Sequence, residues 1–99
     1  MPLFCFHCLD KTDGGAVLRA KARPAHLEWA VSLGDTIRMA GPLLAEDGET
    51  MIGSVFLVTA DSLAAARALS AQDPYTQAGV FGEVKIHEVR WSIGDGKPA

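Results

Sequence analysis

The chain has no basic run or stripe. Its nine Lys and Arg are scattered over 99 residues and the formal net charge is −3. Nucleic-acid binding needs several positive charges on one face, so this balance disfavours it. A polybasic membrane patch is missing for the same reason. Long apolar runs are missing too. Met1 to Leu9 is apolar but too short to span a bilayer, and Asp10-Lys11 follow at once. That segment also lacks the basic start and small-residue cleavage site of a signal peptide. There are only two cysteines, Cys5 and Cys8, which do not make a secreted disulfide framework. A cytoplasmic protein is the expectation. Asp13-Gly14-Gly15 lacks the spacing of a phosphate-binding loop. Ser54 has no G-x-S-x-G context, so no serine nucleophile is proposed.

What is present suits one small core. Hydrophobic residues make up 48% and charged residues 21%, enough apolar matter for a single domain. Leu3 to Leu9 alternates as a strand. Ala16 to Ala22 reads as a short helical turn, and Pro24 as the first residue of the main helix, Ala25 to Leu33, with Gly34 as its stop. Thr36 to Ala40 reads as a short strand closed by Gly41-Pro42. The stretch 45–50 is a turn before a second strand, Ser54 to Thr59. Asp61 is the expected cap of the Ala-rich helix Ser62 to Gln72, which Pro74 ends, and Val80 to Trp91 is the last strand. The expected domain is 1–92, with a loose tail at 93–99.

The order strand, helix, strand, strand, helix, strand is that of an α+β, ferredoxin-like βαββαβ fold with an antiparallel sheet. Its two helices cover one sheet face only. Val55 and Leu57 oppose Phe56 and Val58, so both faces are apolar and a homodimer through the uncovered face is expected.

Chemistry has few places to sit. Cys5-Phe6-His7-Cys8 is a C-x-x-C on a strand rather than at a helix start. No second pair follows, so the two thiols read as core residues and no metal site is expected. His26 falls in the first turn of the expected main helix. Asp10 ends the first strand and would lie near that helix start. A carboxylate on one imidazole nitrogen frees the other for proton transfer. Arg23 has the planar fork that suits a substrate carboxylate. Asp73 and Tyr75 bracket Pro74 and would line a pocket. Gly41 and Pro42 read as a turn, or as a close backbone approach to a ligand.

Asp10-Lys11, Arg23-Pro24-Ala25-His26-Leu27, Ala40-Gly41-Pro42, Gly53-Ser54, the Ser62 to Ala68 stretch and Asp73-Pro74-Tyr75 through Ala78-Gly79-Val80 together resemble the YciI-like (YCII-related) proteins. The likeness runs from Leu3 to about Val89. It implies a dimeric α+β barrel and a His–Asp pair in a pocket. The histidine matches His26 and the aspartate Asp10, with Asp73 as rival. Arg23, Asp73, Tyr75, Gly41, Pro42 and Ser54 then bind a small-molecule substrate, and no cofactor is implied. The leading expectation is a lyase, dehalogenase or isomerase. A metabolite-binding or dimerisation module of the same fold is the alternative, and a protein acting only through its dimer surface is a third.

Overall fold

The computed structural model describes residues 1–98; Ala99, the end of the expected tail, lies outside the described residues. The elements are β1 (Leu3–Asp10), α1 (Gly15–Ser32), β2 (Ile37–Leu44), β3 (Met51–Thr59), α2 (Leu63–Ala71), α3 (Pro74–Gln77) and β4 (Phe81–Val89), with a 3-10 turn at Gly34–Thr36. They form one antiparallel sheet in the order β2-β3-β1-β4, the ferredoxin-like α+β arrangement expected. The core lies between this sheet and the helices. Phe4, Phe6 and Cys8 of β1 and Phe56 and Val58 of β3 are almost wholly buried, with Ala60 and Ala66 beside them. These are alternate strand residues, as a pleated strand requires.

Four local expectations need correction. First, α1 does not start at Pro24. It runs unbroken over 18 residues with Pro24 inside it. Proline removes the N–H that Ala20 O would accept, but both residues are exposed, so water can serve that carbonyl. Ala16, Ala20, Ala22 and Ala25 supply the propensity that carries the helix across. Second, Gly41-Pro42 does not close β2 but lies within it, Gly41 opposite Val55 and Pro42 opposite Ser54. An edge strand tolerates proline because its outward N–H needs no partner, and β2 is an edge. Third, Ser62, not Asp61, caps α2, its Oγ accepting from Ala65 N at 3.1 Å. Fourth, Pro74 starts α3 rather than only ending α2, and Asp73 is its cap.

Two glycines set the spacing around the site. A Cβ on Gly53 would sit 2.1 Å from Cys8 O, so β1 and β3 approach where only glycine fits. A Cβ on Gly15 would lie 3.1 Å from the Asp10 side chain, which presses the first turn of α1 against the end of β1. Among the described residues no helix is long and apolar enough to cross a membrane.

Candidate active site

The inner face of α1 is polar. Its buried residues are Gly15, Arg19 and His26, and Arg23 and Ala30 continue the same stripe. A helix of this kind normally turns an apolar stripe inward. This one turns a guanidinium and an imidazole towards the sheet. Between them and β2–β3 lies a cavity of about 260 Å³, lined by Arg19, Arg23, His26, Ser54, Phe56 and Tyr75 among others. Ala40, Gly41 and Pro42 form its β2 wall, and Met51 lies at its β3 side.

His26 Nδ1 lies 2.8 Å from Asp73 Oδ1, with both side chains buried. A carboxylate only accepts, so Nδ1 carries a proton, and a ring protonated there alone has its Nε2 lone pair free to act as a base. Nε2 has no partner among the described residues. The same Asp73 oxygen accepts from Tyr75 N at 2.9 Å, which fixes the carboxylate as the cap of α3. The Tyr75 ring stacks on His26 at 3.8 Å between centroids and 9° between planes, so the imidazole plane is held as well.

Asp10 does not pair with His26. It takes two bonds from Arg19, Nε to Oδ2 and Nη2 to Oδ1, each 2.8 Å. The reason is the length of α1. The helix begins at Gly15, so Asp10 meets its first turns, and His26 lies seven residues beyond Arg19, about 10 Å further along the axis. There it meets Asp73. Arg19 Nη2 also donates to Ser54 Oγ at 2.8 Å, and its guanidinium lies 4.6 Å from the Tyr75 ring centre. Burial works against the Arg19 charge, but the Asp10 bonds outweigh it and hold the group more firmly protonated than usual.

Arg19 was not among the expected site residues. Its signal is its place four residues before Arg23 and seven before His26, visible once the helix is read through Pro24. Arg23 is exposed, with Met51 Sδ at 3.6 Å and no carboxylate partner among the described residues. Cys5 and Cys8 are free thiols. Burial, and then the nearby Asp73 charge, push the Cys8 thiol up to about 12, so it is not a nucleophile at neutral pH. Among the described residues no group of three or more His, Cys, Asp or Glu is placed to hold a metal ion.

The YCII-related domain profile matches residues 3–90. Protein YciI of Escherichia coli O6:H1 and protein YciI of Shigella flexneri are each 35% identical over 91 residues, spanning 85% of this chain and 92% of the relative. Among solved structures, 5-chloro-2-hydroxyhydroquinone dehydrochlorinase (TftG) from Burkholderia phenoliruptrix AC1100, in complex with 2,5-dihydroxybenzoquinone, is similar with a TM-score of 0.77 and 27% identity, over 97% of this chain and 99% of that one. Protein At3g17210 from Arabidopsis thaliana, with a TM-score of 0.50 and 14% identity over 96% and 99% of the two chains, shares the fold alone.

Proposed function

The chain belongs to the YCII-related family, and on that premise we propose that it is a small-molecule enzyme in which His26, held by Asp73, moves a proton on the substrate. The observation that carries this reading is the buried 2.8 Å His26–Asp73 contact beside a cavity, with Nε2 unpartnered. Nε2 takes the proton. The resulting imidazolium keeps its Nδ1–H bond to the Asp73 carboxylate, which stabilises the charge as it forms. Lyase, dehalogenase and isomerase reactions share this step. The dehydrochlorinase name of a structural neighbour supports the dehalogenase branch, and that protein's quinone ligand supports a small cyclic substrate.

Arg23 pairs with a negative group of the substrate at the cavity mouth. Tyr75 and Asp73 orient the base, while Gly41, Pro42 and Ser54 shape the opposite wall. The reading needs no bound cofactor for the proton transfer itself. We take residues 1–92 as the working domain and the cytoplasm as its place, which two free thiols suit. We also propose that two copies pair through the sheet face that the helices leave open.

The test is turnover of 5-chloro-2-hydroxyhydroquinone and related hydroxyquinols, followed by chloride release and absorbance. His26→Ala should lower turnover about 10²–10⁴-fold, the usual contribution of a positioned acid–base group. Turnover by His26→Ala at the parent rate would sink the proposal. Binding of 2,5-dihydroxybenzoquinone with no turnover across the series would favour the alternative of a metabolite-binding module.

A further inference from the structure

Arginine has only donors, so in the contact between Arg19 Nη2 and Ser54 Oγ the serine oxygen must accept. The hydroxyl still carries a proton of its own. That proton has no acceptor among the described residues, and Ser54, only 3% exposed, cannot turn it to bulk solvent. Ser54 lines the same cavity as His26. The arrangement is therefore a fixed donor and a free base that line one cavity. Arg19 locks the serine oxygen, and Asp10 locks Arg19 through two bonds.

The charge state of this donor selects its ligand. Asp10 already balances the Arg19 guanidinium, so the Ser54 proton is polarised without a net local charge. Such a donor suits an oxygen that becomes negative during reaction, because it is held in place before the charge develops. A negative charge elsewhere on the substrate, away from the reacting oxygen, is served by Arg23, which has no carboxylate partner among the described residues.

We propose that Ser54 donates a hydrogen bond to a carbonyl oxygen of the substrate, and that the substrates are small carbonyl compounds whose reacting C–H adjoins that carbonyl, directly or through conjugation. This rests on the reading of His26 as the base. His26 Nε2 takes the proton from carbon, and the C–H electron pair becomes the new C=C bond. The carbonyl π pair moves onto oxygen, where the Ser54 proton holds the enolate. In an isomerisation, His26 returns the proton to another carbon. In an elimination, the oxygen pair re-forms the carbonyl as the leaving group departs with its bonding electrons.

Binding of ring-substituted phenolates, enolate mimics graded in oxygen basicity, tests the donor without turnover. Affinity for each is measured by calorimetry at a pH where all are ionised. In the parent protein affinity rises with basicity. Ser54→Ala should flatten that slope and weaken the most basic phenolate about tenfold to a hundredfold, as expected for a lost bond to a charged acceptor. Ser54→Thr, which keeps the hydroxyl, should restore the slope. Arg23→Gln should weaken all members alike. A flat slope in the parent protein, no phenolate binding at millimolar concentration, or a parent-like slope in Ser54→Ala would each overturn the proposal. The outcome is separable from that for His26: full turnover by His26→Ala would end the acid–base reading while leaving the Ser54 slope intact.

Discussion

Asp73 serves two neighbours with one oxygen, accepting from His26 Nδ1 and from Tyr75 N. The two roles respond differently to substitution. Asparagine is as good a cap as aspartate, so Asp73→Asn should change thermal stability by less than about 1 kcal/mol. It removes the negative charge that stabilises the imidazolium, so turnover should fall by about tenfold or more, with substrate affinity little changed. Equal losses of stability and turnover would make Asp73 a cap only. The Asp10–Arg19 pair answers a different question. Both side chains are buried, at 7% and 6% exposure, so removing one leaves the other as an uncompensated buried charge. Arg19→Met should cost about 3–5 kcal/mol in urea unfolding, and adding Asp10→Leu should recover much of that loss. If the double variant were no better than the single one, the pair would not be acting as a coupled unit. This assignment reverses the expectation for Asp10, because its partner depends on where α1 begins.

At the scale of elements, the strand pattern was legible and the helix start was not. Alternating Phe4, Phe6 and Cys8 point inward as their spacing implies, and the polar stretch at 45–50 forms the β2–β3 turn. Pro24 misled because proline is at home at a helix start and also tolerable on an exposed helix surface. Only tertiary packing decides between the two. A helix that begins at Gly15, nine residues before Pro24, is what brings Arg19 onto the inner face and puts His26 well beyond the first turn. The His26–Asp73 contact spans 47 residues and depends on how α3 meets α1, which no local pattern encodes. The 45–50 turn offers a pH test of its own. Asp47 accepts from the Thr50 hydroxyl, Thr50 N and Glu49 N, and these bonds draw its carboxyl down from 3.8 to about 2. A lowered folded-state pKa means that the stabilisation is present above about pH 4 and is lost as pH falls through about 2. The Glu49 and Thr50 amide signals should therefore titrate near pH 2 in NMR spectra. A midpoint near 4 would show that the turn bonds do not persist in solution.

At the scale of the whole molecule, the helices cover one face of the sheet and leave the other open. Cys5 and Leu9 of β1 and Val55 and Leu57 of β3 lie on the open face at partial exposure, exposed His7 lies among them, and Met39 of β2 is 45% exposed. The outer strand β4 differs, turning Glu83, Lys85 and His87 to that face. The apolar part is therefore off-centre, over β3 and β2 and the two ends of β1, with His7 on the polar side. A polar margin beside an apolar area is the pattern of a surface that meets a partner. A two-fold pairing is self-complementary, so one patch serves both copies and a single substitution acts twice in each dimer. Leu57 sits on a central strand between Cys5 and Met39, at the middle of the apolar area. Leu57→Glu would bring two carboxylates into the interface without touching the cavity, which lies across the sheet. Sedimentation should show the parent chain as a dimer at micromolar concentration and Leu57→Glu as a folded monomer. Arg67→Glu, an exposed change on α2, should leave the dimer intact. A monomeric parent chain, or a dimer unchanged by Leu57→Glu, would put the apolar face to some use other than self-association. If the monomer keeps full turnover, each chain holds a complete site. If it loses turnover while circular dichroism shows it folded, the second copy helps to build the cavity that His26 faces.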